Sequence, residues 1–299
     1  MLDEMTERIP TSTLKYLRKE RLPHVWCPGC GNGVIIKSLI HAADALKLDQ
    51  DKVTLVGGIG CSGRTPFILD FNTMHSTHGR ALAFATGVKL ARPQMKVIVV
   101  MGDGDAVGIG GNHFIHACRR NIDLTAIVFN NSIYGQTGGQ MAPTTPQDAR
   151  SATSVYGNIE PNFDIAKLAL SAGATFVART TIFDPREMDQ LITKAIEHKG
   201  FSLIEIITTC PTYFGRMNNM KDPYQMIHNL QMNTIPADEA IANIQEMESQ
   251  IRDRAVSIHE AKDLTPEELK GRTVTGIFHK EQRTEYTELY QELVRRSRL

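Results

Sequence analysis

Val97-Ile98-Val99-Val100-Met101-Gly102-Asp103-Gly104-Asp105 is the stretch around which the chain is organised, and its influence runs on to Gln140. Val97 to Val100 is an unbroken apolar, β-rich run too short for a helix, which predicts a strand buried on both faces. Glycines and acids follow, and Gly110 to Arg120 reads as a helix. Asp103 is therefore expected at the carboxyl end of a strand, where open α/β folds bind ligands. A second apolar run, Leu124 to Phe129, ends in Asn130-Asn131. That places Asp103 and Asn131 side by side at the ends of neighbouring strands. A carboxylate and an amide oxygen there suit magnesium, which takes about six oxygens near ~2.1 Å. The Ile133 carbonyl is the expected third protein ligand, with diphosphate oxygens supplying two more. Gly102, Gly104, Gly108, Gly110 and Gly111 let the backbone approach those phosphates, and the following helix offers its unpaired N–H groups. No Gly-Lys-Ser/Thr ends the loop, so it is not a nucleotide P-loop.

A strand, Gly-Asp-Gly, and then Asn-Asn just beyond a second strand resembles the signature of thiamine diphosphate-dependent enzymes. The rival reading is a Gly-rich turn whose Asp103 caps the helix.

With 299 residues the chain has length for one large domain and an appendage. Lys+Arg and Asp+Glu are equal at 33 each, so bulk charge points to neither nucleic acid nor membrane. No run approaches the ~18 apolar residues of a membrane span, and Met1 to Glu20 lacks the order of a signal peptide. A cytoplasmic protein is expected. In a reducing compartment its five cysteines read as metal ligands or redox groups rather than disulfides.

In chain order, residues 1–25 form an arm with a basic patch at Lys15, Arg18, Lys19 and Arg21, expected on a surface or a partner. Residues 26–215 read as the binding domain. It starts with Trp26-Cys27-Pro28-Gly29-Cys30-Gly31-Asn32-Gly33 and a helix from Val34 to Ala45. Val53 to Val56 reads as the first strand, ending in Gly57-Gly58-Ile59-Gly60-Cys61-Ser62-Gly63-Arg64, and Gly79 to Leu90 as a small-residue helix. Helices at 164–172 and 185–198 alternate with strands at 175–178 and 202–207. This alternation predicts an α/β fold, a mostly parallel sheet covered by helices on both faces. Residues 216–299 read as a helical extension. Residues 215–233 show little periodicity, Pro236 to His259 a helical stripe, and Thr265-Pro266-Glu267-Glu268 a capping box.

Cys27 and Cys30 form C-x2-C, Cys61 lies in the turn after the first strand, and Cys210 follows the last one. In a parallel sheet those ends share one edge with Asp103 and Asn131, so four thiolates gather beside the diphosphate site. They suit a cubane iron-sulfur cluster or a structural zinc, and spacing alone does not separate the two. A thioredoxin-like dithiol at Trp26 to Cys30 lacks the preceding strand, and inert buried thiols do not suit a C-x2-C in a glycine turn. Cys118 reads as core packing. A non-redox thiamine enzyme would have no use for the four cysteines, and a zinc-stabilised interaction protein none for the diphosphate loop.

Together with His78-Gly79-Arg80-Ala81, Asn-Asn-Ser-Ile-Tyr-Gly-Gln-Thr-Gly-Gly-Gln and Thr-Cys-Pro, these motifs resemble the β subunit of 2-oxoacid:ferredoxin oxidoreductases over residues 20–215. The run from Tyr134 to Gln140 is most similar to the 2-oxoglutarate branch. The resemblance implies the thiamine diphosphate-binding fold and coenzyme A-dependent oxidative decarboxylation of a 2-oxoacid, with electrons passing through a [4Fe-4S] cluster to ferredoxin. It implies that Cys27, Cys30, Cys61 and Cys210 hold the cluster and that Asp103, Asn131 and the Ile133 carbonyl bind magnesium. Ile59, Gly60, Cys61, Ser62, His78, Gly102, Gly104, Asp105, Gly135 and Thr137 would line the cofactor. The glutamate that such enzymes set against the aminopyrimidine ring would come from an α subunit, which implies an (αβ)2 complex and an inactive lone chain.

His78, just before a helix, is the candidate polar group on substrate or cofactor, with a His75/His78 metal pair as rival. His113 and His116 are expected to pack along their helix. Arg64 is the candidate for the distal carboxylate of 2-oxoglutarate, a charge that must be paired when buried and that pyruvate lacks. Its rival is an exposed loop arginine, and a pyruvate or broad 2-oxoacid enzyme is the alternative substrate reading.

Overall fold

The computed structural model describes residues 11–238 and 272–297. Its strands are β1 (Val53–Gly57), β2 (Asn72–His75), β3 (Lys96–Gly102), β4 (Thr125–Asn130), β5 (Ile133–Tyr134), β6 (Gln140–Met141), β7 (Phe176–Thr181), β8 (Ser202–Ile207), β9 (Thr234–Pro236) and β10 (Thr273–Lys280). Its main helices are α1 (Asn32–Ala45), α2 (Ala81–Ala91), α3 (Gly111–Arg120), α4 (Ile165–Ser171), α5 (Pro185–Glu197), α6 (Pro223–Met232) and α7 (Tyr286–Ser297).

Eight strands form one sheet in the order β2-β1-β3-β4-β8-β7-β10-β9. Every neighbouring pair is parallel except β10 on β7. The alternation of side chains along a strand explains the all-apolar runs. Ile98 and Val100 join Ile35, Leu39, Leu191 and Ile192 of α1 and α5 on one face. Val97, Val99 and Met101 join Ala85, Phe114, Ala117 and Ala169 of α2, α3 and α4 on the other. Cys118 is fully buried in this second layer, as the sequence predicts.

The arm packs on its own chain. Tyr16 is fully buried and its hydroxyl donates to the Ala43 and Leu48 carbonyls, while Arg18 donates to the Pro66 and Phe71 carbonyls. The extension is helical only in part: α6 and α7 are helices, but β10 adds an antiparallel strand to the sheet. Pro236 ends β9 instead of opening a helix, and the rest of the predicted helix to His259, with the capping box at Thr265, lies outside the described residues.

Candidate active site

The Gly102–Phe129 pairing of β3 and β4 fixes where the two oxygen-bearing residues emerge: Asp103 and Asn131 leave adjacent strands at the same rim. Asp103 is buried, and burial pushes its carboxyl up to about 6, against the hydrogen bond its Oδ2 accepts from the Thr144 hydroxyl. A nearby cation would restore its charge. Asn131 Oδ1 accepts the Ile133 N–H at 3.3 Å, while Asn130 Oδ1 accepts the Ser132 N–H at 3.1 Å. An amide oxygen has two lone pairs, so Asn131 keeps one for another partner. Beneath this turn, Asn130 Nδ2 donates to Glu205 Oε1 at 2.8 Å, and Glu205 Oε2 accepts from Arg179 Nε at 2.8 Å. Asn130 and Glu205 are buried, which holds the Asn-Asn turn on a fixed polar footing.

Asp105 ties three loops together. Its Oδ1 accepts from His78 Nδ1 at 2.5 Å and from the Gly79 N–H at 2.6 Å, and its Oδ2 from the Ile59 N–H at 3.3 Å. Burial raises its pKa, against the Gly79 hydrogen bond and the His78 charge and hydrogen bond. A Cβ on Gly58 would lie 1.5 Å from Asp105 Oδ2, so only glycine lets the β1 turn close on this carboxylate. Gly104 meets Tyr134 in the same way, its Cβ falling 2.2 Å from the ring.

One cleft receives these groups. Ile59, Gly60, Cys61, Ser62, His78, Gly102, Asp103, Gly104, Asp105, Asn131, Ile133, Gly135 and Thr137, all expected from the sequence, line it. The hydroxyl of Ser62 is buried without a hydrogen-bond partner. That orphaned group, the glycine approaches and the Asp103/Asn131 oxygens fit a magnesium-bound diphosphate. Sequence reasoning missed Asn32 and Tyr134 in the lining and Thr144 on Asp103. His75 packs its ring on Phe67 at 5.2 Å while His78 turns to Asp105, so they do not act as a pair. His113 Nε2 lies 2.7 Å from Arg80 instead of packing along α3.

A second cavity, of about 330 Å³, opens beside the cleft and is lined by Cys27, Cys30, Cys61 and Cys210. Their segments are stitched together: Trp26 Nε1 donates to the Cys61 carbonyl at 2.7 Å, and the Thr209 hydroxyl to the Gly29 carbonyl at 3.1 Å. Burial, reinforced by the other three cysteines, pushes the Cys61 thiol up to about 11, and burial likewise raises Cys30. Asn32, Cys61, Asn131, Gly135 and Gln136 line both cavities. A Cβ on Gly135 would lie 3.4 Å from Cys210 Sγ, 3.8 Å from Cys61 Sγ and 3.8 Å from Asn131 Nδ2. Arg64 is exposed, and the structure brings it to the sulfur-side cavity near Cys61, outside the cleft lining.

The family described as thiamine pyrophosphate enzyme, C-terminal TPP binding domain, matches residues 58–206. The chain is 54% identical over 239 residues to the 2-oxoglutarate synthase subunit KorB of Archaeoglobus fulgidus, covering 78% of this chain and 89% of that one. It is 45% identical over 281 residues to the KorB subunit of Methanocaldococcus jannaschii, covering 94% and 96%. The chain belongs to the KorB family of 2-oxoglutarate synthase subunits. A solved structure of 2-oxoglutarate:ferredoxin oxidoreductase from Magnetococcus marinus, with 2-oxoglutarate, coenzyme A and succinyl-CoA bound, superposes with a TM-score of 0.78 at 30% identity. That match covers 95% of this KorB-family chain and 90% of the other. It bears out the α/β sheet and its thiamine-enzyme fold. Among the described residues no helix is long and apolar enough to cross a membrane.

Proposed function

We propose that this chain is the β subunit of a 2-oxoglutarate:ferredoxin oxidoreductase that works in the cytoplasm as an (αβ)2 complex. The reaction takes 2-oxoglutarate and coenzyme A to succinyl-CoA and carbon dioxide, and the two electrons released leave singly for ferredoxin. The observation that carries this reading is the shared wall: the cleft with Asp103 and Asn131 and the cavity with four cysteines meet at Cys61 and Gly135.

Asp103, Asn131 and the Ile133 carbonyl would hold magnesium, and through it the diphosphate of thiamine. When bound, thiamine supplies the electron sink that no side chain offers. This chain's residues do the rest of the work. Asp105 holds the His78 ring by Nδ1, which fixes its orientation and leaves the Nε2 edge free for substrate or cofactor. Glycines at 58 and 104 let the loops close on Asp105 and on the Tyr134 ring beside the cleft. Cys27, Cys30, Cys61 and Cys210 would carry a [4Fe-4S] cluster. A single zinc at about 2.3 Å from each thiolate needs sulfurs within about 4 Å of one another. The cavity of about 330 Å³ that the four cysteines help to line is roomier than one zinc ion requires, which supports the larger group. The aminopyrimidine glutamate would come from the α subunit.

Metal analysis and a visible spectrum of the anaerobic complex test the reading. About four irons per chain and broad absorption near ~400 nm, bleached by 2-oxoglutarate plus coenzyme A, are the expected result. Colourless protein with stoichiometric zinc, or bleaching by pyruvate at equal kcat/KM, would overturn the cluster or the substrate assignment respectively.

A further inference from the structure

The wall between the two cavities contains two asparagines, and both present amide nitrogens that no protein group accepts. Asn32 opens α1 directly after the Cys30-Gly31 turn, is only 3% exposed and lines both cavities. Its backbone N–H already faces the Cys30 sulfur, and its side-chain amide has no hydrogen-bond partner among the described residues. Asn131 Oδ1 accepts the Ile133 N–H, while its Nδ2 has no protein acceptor among the described residues. That nitrogen lies 3.8 Å from the point at which Cys210 Sγ approaches to 3.4 Å and Cys61 Sγ to 3.8 Å. Asn131 is half-buried and both amides border the cavities without a protein acceptor, so a sulfur-bearing group held there would supply one. Thiolate and sulfide sulfurs only accept, so an amide bordering them satisfies itself by turning its NH2 toward them.

We infer that the side-chain amides of Asn32 and Asn131 donate hydrogen bonds to the group held by the four cysteines, so that the wall itself sets that group's reduction potential. This rests on the reading of the cysteine cavity as an iron-sulfur site. A donor to sulfur stabilises the reduced, more negative state and so raises the potential. Asn131 is also a candidate metal ligand, which makes Asn32 the position at which the effect can be isolated.

The test is an EPR-monitored redox titration of the assembled αβ complex carrying Asn32→Leu or Asn32→Asp, each first shown to hold the wild-type iron content. The midpoint potential moves negative in both, and further in Asn32→Asp, where a carboxylate replaces the donor. A midpoint that is unchanged or more positive in both variants overturns the inference. Should neither variant retain iron, the wild-type complex labelled with 15N at asparagine side-chain amides decides. Side-chain nitrogen coupling to the reduced cluster in pulsed EPR supports the inference, and its absence overturns it. Wild-type protein that lacks iron would sink the functional reading instead, so the two failures are distinct.

Discussion

Asp105→Asn is the most informative single change, because it alters the charge of the loop-tying group without altering its shape. The carboxylate accepts three hydrogen bonds, two at Oδ1 from His78 and Gly79 and one at Oδ2 from Ile59. With the amide oxygen at the Oδ1 position, the two shorter bonds survive but lose their charge, at about 1 kcal/mol each. The new NH2 then faces the Ile59 N–H, which loses its acceptor at a further ~1 kcal/mol. Removing a charge that burial disfavours offsets part of this, as the raised Asp105 pKa indicates. The net loss is about 2 kcal/mol, or a fall in Tm of roughly 4–8 °C for a domain of this size. Thermal melts with and without magnesium and thiamine diphosphate provide the assay. Because Ile59 and His78 line the cleft, the added stabilisation from ligand, which scales as RT ln(1 + [L]/Kd), should shrink as well. A variant that melts within 1 °C of wild type under both conditions would refute the reasoning.

Two further outcomes follow from the charges. Lys89 Nζ lies 2.6 Å from Asp123 Oδ2 with both side chains about 95% buried, so Lys89→Met should cost about 3–5 kcal/mol, read as a lower Tm at pH 7. Burial pushes the Asp123 carboxyl up, but the Lys89 hydrogen bond and charge, the Gly200 N–H and Lys199 together hold it below its ordinary value. A depressed carboxylate stabilises the fold above its unfolded pKa of ~3.9 and loses that contribution as pH falls through the folded value, so the gap between wild type and Lys89→Met must narrow below pH ~4. A gap that is constant from pH 7 to pH 3 would remove the pair from the acid response. If 2-oxoglutarate reaches from the cleft into the adjoining cavity that Arg64 lines, Arg64→Ala should raise its KM roughly tenfold more than that for pyruvate, the loss of one charged hydrogen bond to a distal carboxylate. Equal effects on both substrates would instead assign Arg64 to Cys61, whose thiol its charge acts on.

Elements that carry their own signal in the sequence are found where the pattern puts them. Ser202 to Ile207 is a strand with those limits, and Val97 to Val100 forms the centre of β3, because strands buried on both faces are apolar throughout. Elements defined by a distant partner are not legible. β10 shows only Thr275 buried along its length, contains Gly276, and shifts register between Ile277 and His279, so it becomes a strand through pairing with β7 nearly a hundred residues earlier. β2, exposed at the sheet edge, has no apolar run either. α6 buries only Met226 and lacks a stripe, yet Asp222 caps it with Pro223 at the first turn, a signal that periodicity alone overlooks. Thr144 lies in the irregular stretch after β6, and only the tertiary fold carries it to Asp103.

The same limit applies to the sulfur site, where sheet topology explains less than strand order suggests. Cys61 follows β1 and Cys210 follows β8, and in the order β1-β3-β4-β8 these strands are three spacings apart, about 14 Å at ~4.8 Å per strand. A shared rim therefore does not by itself bring their sulfurs together. The turns close the distance: Ser62 to Arg64 curls back after β1, Pro211 to Gly215 winds after β8, and the β5–β6 hairpin presents Gly135 between them. A side chain larger than hydrogen at 135 would project into the space that both sulfurs border. The stretch from Ile133 to Met141, which lines the cleft with Ile133 and borders the sulfurs with Gly135, is thus what joins the two halves of the site.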